Sequence, residues 1–369
     1  MSDIQKALLR RIKQQEAAMG LSVLSEESES SVSPSPSPQP KSQSANPQTH
    51  TEDEPIITNY HKFKATFFDC SETFIHEGVS LQAYIKLPKT KDTQIFVLVH
   101  GAGSSSMTFA QLASNLIKED SNVGIFIFDL RGHGDSSSTT DFSLSSLVED
   151  CSFIIHKFIE KYDLSSNSLY FVGHSLGGAV IANFLKQPIT DLNIRGEVIL
   201  DIVEETAVKS LSSMPNFIEN RPKSFNSITK AIDWHMNFLL FNQESANLSI
   251  PDLLDTNLHW KTDLSLTQPA WDTWFTGLSQ SFLTFKGPKL LLLSAHETLD
   301  KNLIIGQMQG KYQLVVFNNN HNSGHFIHED LPHQVAVCLL DFVKRNENPD
   351  KFMKDELGIV PKWGGKINK

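Results

Sequence analysis

Six short, nearly continuous apolar runs, separated by stretches with helical periodicity, constrain the fold more than any other feature of the sequence. The apolar runs cover residues 94–99, 123–130, 168–172, 197–203, 289–294 and 312–317. Strands that are apolar on both faces belong to a parallel sheet that helices cover on each side. Helical periodicity recurs between them, at about 107–118, 144–162, 177–186 and 332–345. The pattern predicts an α/β fold with a mostly parallel, doubly wound sheet.

Two segments modify this regular alternation. Residues 65–87 predict two antiparallel strands with a turn at Glu77-Gly78 before the parallel part of the sheet. The gap between Val203 and Lys289 is too long for one crossover connection. We therefore expect a mostly helical insertion at about 205–287 that lies over the functional site as a lid.

The chain ends differ in composition from this central part. Residues 25–55 are rich in Ser, Pro, Gln and Glu and almost lack large apolar side chains, so burial cannot offset the entropy lost on ordering. We predict a disordered tail over residues 1–57, with a short amphipathic helix at 2–19, a compact domain over 58–347, and a C-terminal tail over 348–369.

Composition restricts the compartment and the partners. The three cysteines are widely spaced and lack the pairing typical of a disulfide framework or a zinc site. No apolar run is long enough to span a bilayer, so no membrane partner is expected. A formal net charge of −10 argues against nucleic acid, which basic clusters bind. We expect a soluble protein of the cytoplasm, with the nucleus as a second location.

The sharpest local motif is Gly-His-Ser-Leu-Gly at 173–177, between a predicted strand and a predicted helix. In such a strand–turn–helix the serine lies on a turn so tight that side chains two residues away would collide, which is why glycines flank it. The turn lifts Ser175 above the sheet and brings free N–H groups of the helix beside it. Ser175 is therefore the predicted nucleophile.

A serine hydroxyl needs a base on a later loop to take its proton. His325 follows the last predicted strand and Gly324, and it precedes the helix that begins near Pro332. Its neighbours His321, His328 and His333 suggest a metal site, yet they match no known ligand spacing. We predict that His325 is the base and that neither a metal ion nor another cofactor is needed.

The oxyanion of such a reaction needs two main-chain donors. The N–H of Leu176 directly follows the nucleophile, and the loop Gly101-Ala102-Gly103 offers the N–H of Ala102. The acid that orients His325 has two candidate locations in the sequence. Asp201 lies at the end of one strand, whereas Glu297 or Asp300 follows the next, which is the commoner place in this type of fold. The residues alone leave both locations open.

Segments beyond these general motifs resemble one particular family. They are Asp-Ile-Val-Glu-Glu-Thr-Ala at 201–207, Arg-Pro-Lys-Ser-Phe at 221–225, Trp-Asp-Thr-Trp-Phe-Thr-Gly-Leu-Ser at 271–279 and Gly-Gln-Met-Gln-Gly-Lys at 306–311. The chain is similar in them to the protein phosphatase methylesterases of the α/β-hydrolase fold. These enzymes remove the methyl ester from the C-terminal leucine of the type 2A protein phosphatase catalytic subunit. The resemblance implies this activity, this partner with its methylated C-terminal tail, and Asp201 as the acid.

Because methanol is a small leaving group, selectivity has to come from the acyl side of the ester. We predict that Trp234, Trp271 and Trp274 of the insertion bind the peptide tail. Two other functions fit the motifs, namely a small-molecule esterase or lipase of the same fold, and a regulator that acts by binding the phosphatase.

Overall fold

The computed structural model describes residues 53–294, 298–317 and 322–347. Residues 1–52 of the tail predicted over 1–57, with the helix predicted at 2–19, and the C-terminal tail predicted over 348–369 therefore lie outside the described residues. Within the described ranges, no helix combines the length and the apolar character needed to cross a bilayer.

An eight-stranded sheet in the order β1-β2-β4-β3-β5-β6-β7-β8 forms the centre of the molecule. Strands β3 to β8 are parallel, and β1 and β2 add an antiparallel edge. The strands are β1 (Cys70–His76), β2 (Val79–Lys86), β3 (Gln94–Val99), β4 (Gly124–Phe128), β5 (Ser168–His174), β6 (Ile194–Leu200), β7 (Lys289–Leu293) and β8 (Gln313–Val316). The predicted mostly parallel sheet is confirmed.

The described residues form thirteen helices and two 3-10 turns. The helices are α1 (Glu54–Phe67), α2 (Ala110–Glu119), α3 (Leu144–Tyr162), α4 (Leu176–Leu185), α5 (Glu204–Leu211), α6 (Met214–Asn220), α7 (Ile228–Phe238), α8 (Gln243–Leu253), α9 (Trp271–Trp274), α10 (Leu278–Thr284), α11 (Lys301–Met308), α12 (Ile327–Asp330) and α13 (Pro332–Glu347). The 3-10 turns are Ser106–Phe109 and Leu264–Ala270.

The side chains of β3 show how the sheet separates two cores. Val97 and Val99 pack into the cluster that contains α3 and α4, whereas Phe96 and Leu98 pack into the cluster that contains α1, α2 and α13. All four are fully buried. Complete burial stabilises each such side chain by about 1.5–3 kcal/mol. Alternation along one strand thus attaches helices to both faces, as the doubly wound prediction requires.

The lid consists of helices α5 to α10, which lie between β6 and β7. Its centre is a small apolar cluster around Ile232, Leu240 and Ile250 of α7, α8 and their connection. Ile56 and Ile57 of α1 pack against that cluster. The predicted helical insertion is therefore present, and the first described helix of the chain is part of its support.

The N-terminal boundary of the packed chain differs from the prediction. Residues 54–57 were expected in the tail and residues 65–69 in a strand, but Glu54–Phe67 form α1 and the strand starts at Cys70. Phe67 and Phe68 pack against the sheet core from the helix end and the loop after it, not from a strand. The aromatic residues in this segment are compatible with either a strand or a helix, and the packing of the folded chain favours the helix.

Contacts of α1 with the lid are polar as well as apolar. The Asp53 carboxylate accepts hydrogen bonds from the main-chain N–H groups of Ile228 and Thr229, at 3.0 and 2.9 Å, in the first turn of α7. Tyr60 donates to the buried Asp252 of α8, and the Lys64 ammonium lies 2.6 Å from the same carboxylate. These bonds hold the lid helices to the body of the domain.

Replacing Asp53 with alanine should lower the free energy of unfolding by about 1–2 kcal/mol, because two N–H groups at the start of α7 lose their acceptor. Urea denaturation followed by circular dichroism measures the change. The exposed Glu219, substituted in the same way, serves as the control and should alter stability by less than about 0.5 kcal/mol. Equal effects of both substitutions would contradict the capping role.

Candidate active site

Ser175 lies on a strained turn between β5 and α4. Its backbone has φ 50° and ψ −119°, a conformation that side-chain-bearing residues rarely adopt. The flanking glycines make the turn possible. A Cβ atom on Gly177 would lie 2.0 Å from the carbonyl oxygen of Val99, and one on Gly173 would lie 2.4 Å from the carbonyl oxygen of Gly177. The partly exposed Ser175 is thereby presented above the carboxyl edge of the sheet.

His325 and Asp201 meet beside this turn. The Nδ1 atom of His325 lies 3.1 Å from Oδ2 of Asp201, and the main-chain N–H of Ser294 donates to the other carboxylate oxygen. Asp201 directly follows β6 and is 1% exposed. Its carboxylate therefore contacts the imidazole at a place that bulk water does not reach. The structure thus brings together Ser175, His325 and Asp201, each at the carboxyl end of a different strand.

Asp300, the alternative carboxylate that the structure describes, does not bond to His325. Asp300 begins α11, where it accepts from the main-chain N–H of Leu303 at 3.0 Å and from the hydroxyl of Ser279. Both of its oxygens are therefore engaged in helix capping and packing. Glu297 lies outside the described residues. Sequence pattern slightly favoured this later strand, and that preference is wrong for Asp300 because its side chain is turned toward α10.

Two buried loops position the main chain around Ser175. The His100 imidazole bridges them, because Nδ1–H donates to the carbonyl of Gly101 at 2.8 Å and Nε2 accepts from the N–H of Leu130 at 3.0 Å. Burial holds the pKa of His100 well below its usual range. The ring is therefore neutral, with one nitrogen as the donor and the other as the acceptor. A Cβ atom on Gly101 would lie 3.0 Å from Cβ of Ser175. The loop that carries Ala102 therefore lies against the serine, and Leu176 directly follows it at the start of α4.

His174 is a functional side chain that the sequence reasoning missed. It occupies the variable position of the glycine-serine motif and is buried beneath His325, whose carbonyl oxygen lies 2.9 Å from its Nε2. Burial holds its pKa well below its usual range, so the neutral ring donates this hydrogen bond. The bond fixes the main chain of the loop that carries His325. Its position inside the Gly-His-Ser-Leu-Gly motif is the sequence signal that could have identified it.

An apolar cavity opens above Ser175 and is covered by the lid. Its empty volume is about 1040 Å³, including the opening to solvent, and Ser175, His325 and Ala102 are among its lining residues. Apolar lid residues make up much of the wall: Leu211, Met214, Phe217, Trp234, Leu239, Leu240, Ile250, Leu253, Trp260, Leu264, Trp274 and Phe275. The cavity can therefore enclose an apolar group directly beside the serine.

The three predicted substrate-binding tryptophans differ in whether they line this cavity. Trp234 and Trp274 line the cavity, together with Trp260. Trp271 is not among the residues that line the cavity. Its ring packs in the main core, as does that of Trp274, and its Nε1–H donates to the hydroxyl of Thr267 at 2.8 Å. The prediction for Trp271 is therefore wrong.

Besides His325 and the buried His235, two ionisable side chains lie in the apolar wall of the cavity. The Arg221 guanidinium lies over the Trp260 ring at 4.7 Å and donates to the carbonyl of Thr262 at 3.5 Å. Burial lowers the pKa of Arg221. Glu329, four residues after His325, is the second. An apolar cavity with a few fixed polar groups is typical of sites that bind one kind of ligand.

The histidines near His325 do not form a metal site in the part of the chain that the structure describes. No group of three or more His, Cys, Asp or Glu side chains there could hold a metal ion. His328 is fully buried against His174 and Phe109, with ring centroids 4.3 and 4.5 Å away. His333 lies at the surface, 3.3 Å from Glu119. His321 lies outside the described residues.

Comparison with known proteins supports the class that this fold and site define. The model of the alpha/beta hydrolase family matches residues 96–337. The crystal structure of E-2-(acetamidomethylene)succinate hydrolase superposes with a TM-score of 0.60 and covers 74% of this chain and 98% of its own, at 16% identity. The molecule is therefore an α/β hydrolase.

Full-length relatives narrow the family. Protein phosphatase methylesterase 1 of Candida albicans is 55% identical over 370 residues, which cover 100% of both chains. The protein of the same name from Debaryomyces hansenii is 48% identical over 390 residues, again with 100% of both chains covered. The chain belongs to the protein phosphatase methylesterase family, and it is a serine esterase. The family resemblance indicated by the lid motifs is confirmed.

Substituting Gly177 with alanine should abolish esterase activity and cost about 3 kcal/mol or more of folding stability, because the new Cβ would meet the main chain of β3. Gly178 is the matched control. A Cβ there would lie 3.1 and 3.2 Å from the side-chain methyl groups of Ile202 and Ile199 and 3.3 Å from the carbonyl oxygen of Gly173, contacts far less severe than the 2.0 Å at Gly177. Thermal unfolding and p-nitrophenyl acetate hydrolysis measure both variants. A Gly177 variant as stable and active as the Gly178 variant would contradict the contact.

Proposed function

We propose that the protein hydrolyses the methyl ester on the C-terminal leucine of the type 2A protein phosphatase catalytic subunit. The observation that carries the proposal is the hydrogen-bonded pair of His325 and Asp201 beside Ser175, at the base of an apolar cavity. The names of the full-length relatives, protein phosphatase methylesterase 1, support a protein phosphatase as the substrate.

In the first half of the proposed reaction, the Ser175 hydroxyl attacks the ester carbonyl while Nε2 of His325 takes its proton. Asp201 accepts a hydrogen bond from Nδ1–H, which fixes the tautomer and stabilises the imidazolium that forms. The N–H groups of Ala102 and Leu176 hold the negative oxygen of the tetrahedral intermediate. The C–O bond to the methoxy group breaks, and His325 returns the proton to the leaving methanol.

In the second half, water attacks the acyl-enzyme, and His325 again serves as base and then as acid. The new C–O bond gives the free leucine carboxylate, and the proton returns to the Ser175 oxygen. One water is consumed and one methanol is released in each cycle. The chemistry requires acids, bases and main-chain donors that this chain itself provides.

The cavity supports a leucine ester as the substrate. Methanol is too small to be selected, so discrimination has to come from groups on the acyl side. Leu239, Leu240 and Ile250 of the lid offer an apolar surface to a leucine side chain. Burying one such side chain contributes about 1.5–3 kcal/mol of binding free energy, which suffices for preference but not for high selectivity. Further selectivity has to come from polar contacts with the peptide.

The direct test measures release of labelled methyl groups from the carboxyl-methylated phosphatase catalytic subunit. The full chain should release them, and the Ser175→Ala variant should not, because the nucleophile is lost. Hydrolysis of simple esters without demethylation of the phosphatase would contradict the proposal and leave a small-molecule esterase. Undiminished demethylation by the variant would remove Ser175 from the mechanism.

Two isosteric substitutions separate the acid of the mechanism from its sequence competitor. Asp201→Asn should lower kcat by about 10³–10⁴-fold, because the amide no longer holds the imidazole in its productive tautomer. Asp300→Asn should change kcat by less than about threefold, because the amide oxygen still caps the start of α11. Both are assayed by methyl release, well below their unfolding temperatures. Equal losses in kcat would contradict the role of Asp201.

A further inference from the structure

Glu329 is a buried acid that the reaction described above does not use. It lies on α12 and lines the same cavity as Ser175 and His325. Its side chain is 2% exposed, and its Oε2 atom has no hydrogen-bond partner among the described residues. A buried polar atom without a partner costs about 1–3 kcal/mol. Packing alone does not explain an acid here, since an apolar residue would avoid that cost.

The neighbouring acid, Asp330, has a structural role, and its hydrogen bonds contrast with those of Glu329. Asp330 accepts from the N–H of Phe241 at 2.7 Å and from the N–H of Gly324 at 2.8 Å, so it ties the His325 loop to the lid. The main chain of Glu329 is fixed as well, because its carbonyl accepts from the hydroxyl of Ser245 at 2.6 Å. The Glu329 carboxyl group is thus held at the cavity wall and leaves one oxygen uncommitted.

The protonation state of this carboxyl group follows from its surroundings. The pKa of Glu329 is raised to about 8, mainly by burial; the nearby Ser249 hydroxyl opposes the rise and the Asp330 carboxylate adds to it. Among the other ionisable groups that line this cavity, His325 contacts Asp201, and burial lowers the pKa of His235 to about 4. His328 is neutral because burial lowers its pKa to about 3, Asp252 of α8 is bound by Lys64, and His333 of α13 pairs with Glu119 of α2. Arg221 faces the same cavity across its apolar wall.

A peptide substrate brings an unsatisfied group into this cavity. The residue that carries the ester is joined to the chain by a peptide bond, whose carbonyl oxygen needs a donor once the lid excludes water. We propose that Glu329, as a neutral acid, donates its O–H to that carbonyl oxygen and thereby selects peptidyl esters over simple alkyl esters. This inference rests on the proposed function, because it assigns the contact that recognises the acyl side of the same substrate.

Two small esters isolate this contact. N-acetyl-leucine methyl ester carries the amide carbonyl, whereas methyl 4-methylpentanoate has the same apolar side chain without the amide. The readout is the ratio of kcat/KM for the first ester to that for the second. Glu329→Ala should lower this ratio by about 10-fold or more, which is the size expected for one lost hydrogen bond in a dry site. Most of the change should appear in KM.

The conservative variant tests whether the donor is what matters. Glu329→Gln keeps an N–H donor and should retain the ratio within about threefold. In the wild-type protein the ratio should fall as pH rises through about 8, because ionisation of Glu329 removes the donor, and Glu329→Gln should lack this fall. The exposed Glu244 of α8, changed to glutamine, serves as the control and should follow the wild-type profile.

Three results would overturn the inference. They are an equal loss on both esters in Glu329→Ala, a ratio in Glu329→Gln as low as that in Glu329→Ala, and a fall above pH 8 that persists in Glu329→Gln. Failure of the proposed function has a different signature. The phosphatase would then keep its methyl groups, while the ester ratio would still respond to Glu329. Normal demethylation with an unchanged ratio would remove the inference alone.

Discussion

The close backbone contact between the first turn of α4 and the end of β3 is the constraint on which the site depends. Gly177 lies so near the Val99 carbonyl that no side chain fits between them. This approach allows the chain to leave β5, pass Ser175 at positive φ, and enter α4 within a single residue. It also sets the loop after β3 beside the serine. Ser175, Leu176 and Ala102 owe their common location to one packing contact.

Neutral buried histidines form a second layer beneath this turn. His100 joins the Ala102 loop to the loop after β4, and His174 holds the main chain at His325. Each offers one donor and one acceptor only while it is uncharged, and burial keeps the pKa of each well below its usual range. The geometry around Ser175 is thus fixed by groups that do not titrate near neutral pH. His325 remains the histidine that contacts a carboxylate beside the cavity.

The lid is supported from outside its own sequence. Its helices α7 and α8 receive polar contacts from Asp53 and Tyr60 of the N-terminal part of the domain. The cavity roof is therefore continuous with the body of the fold.

The sequence by itself determined the alternation of strands and helices, the helical lid, and the positions of Ser175 and His325, because these follow from periodicity and from local turn chemistry. It did not determine which carboxylate reaches His325, since Asp201 and Asp300 both follow strands and only the packing of α11 turns Asp300 away. Nor did it show that Trp274 lines the cavity whereas Trp271 does not. It also did not predict α1, because aromatic residues are compatible with a strand as well as with a helix. Tertiary structure decided these points, because the direction of a side chain depends on what packs against its element.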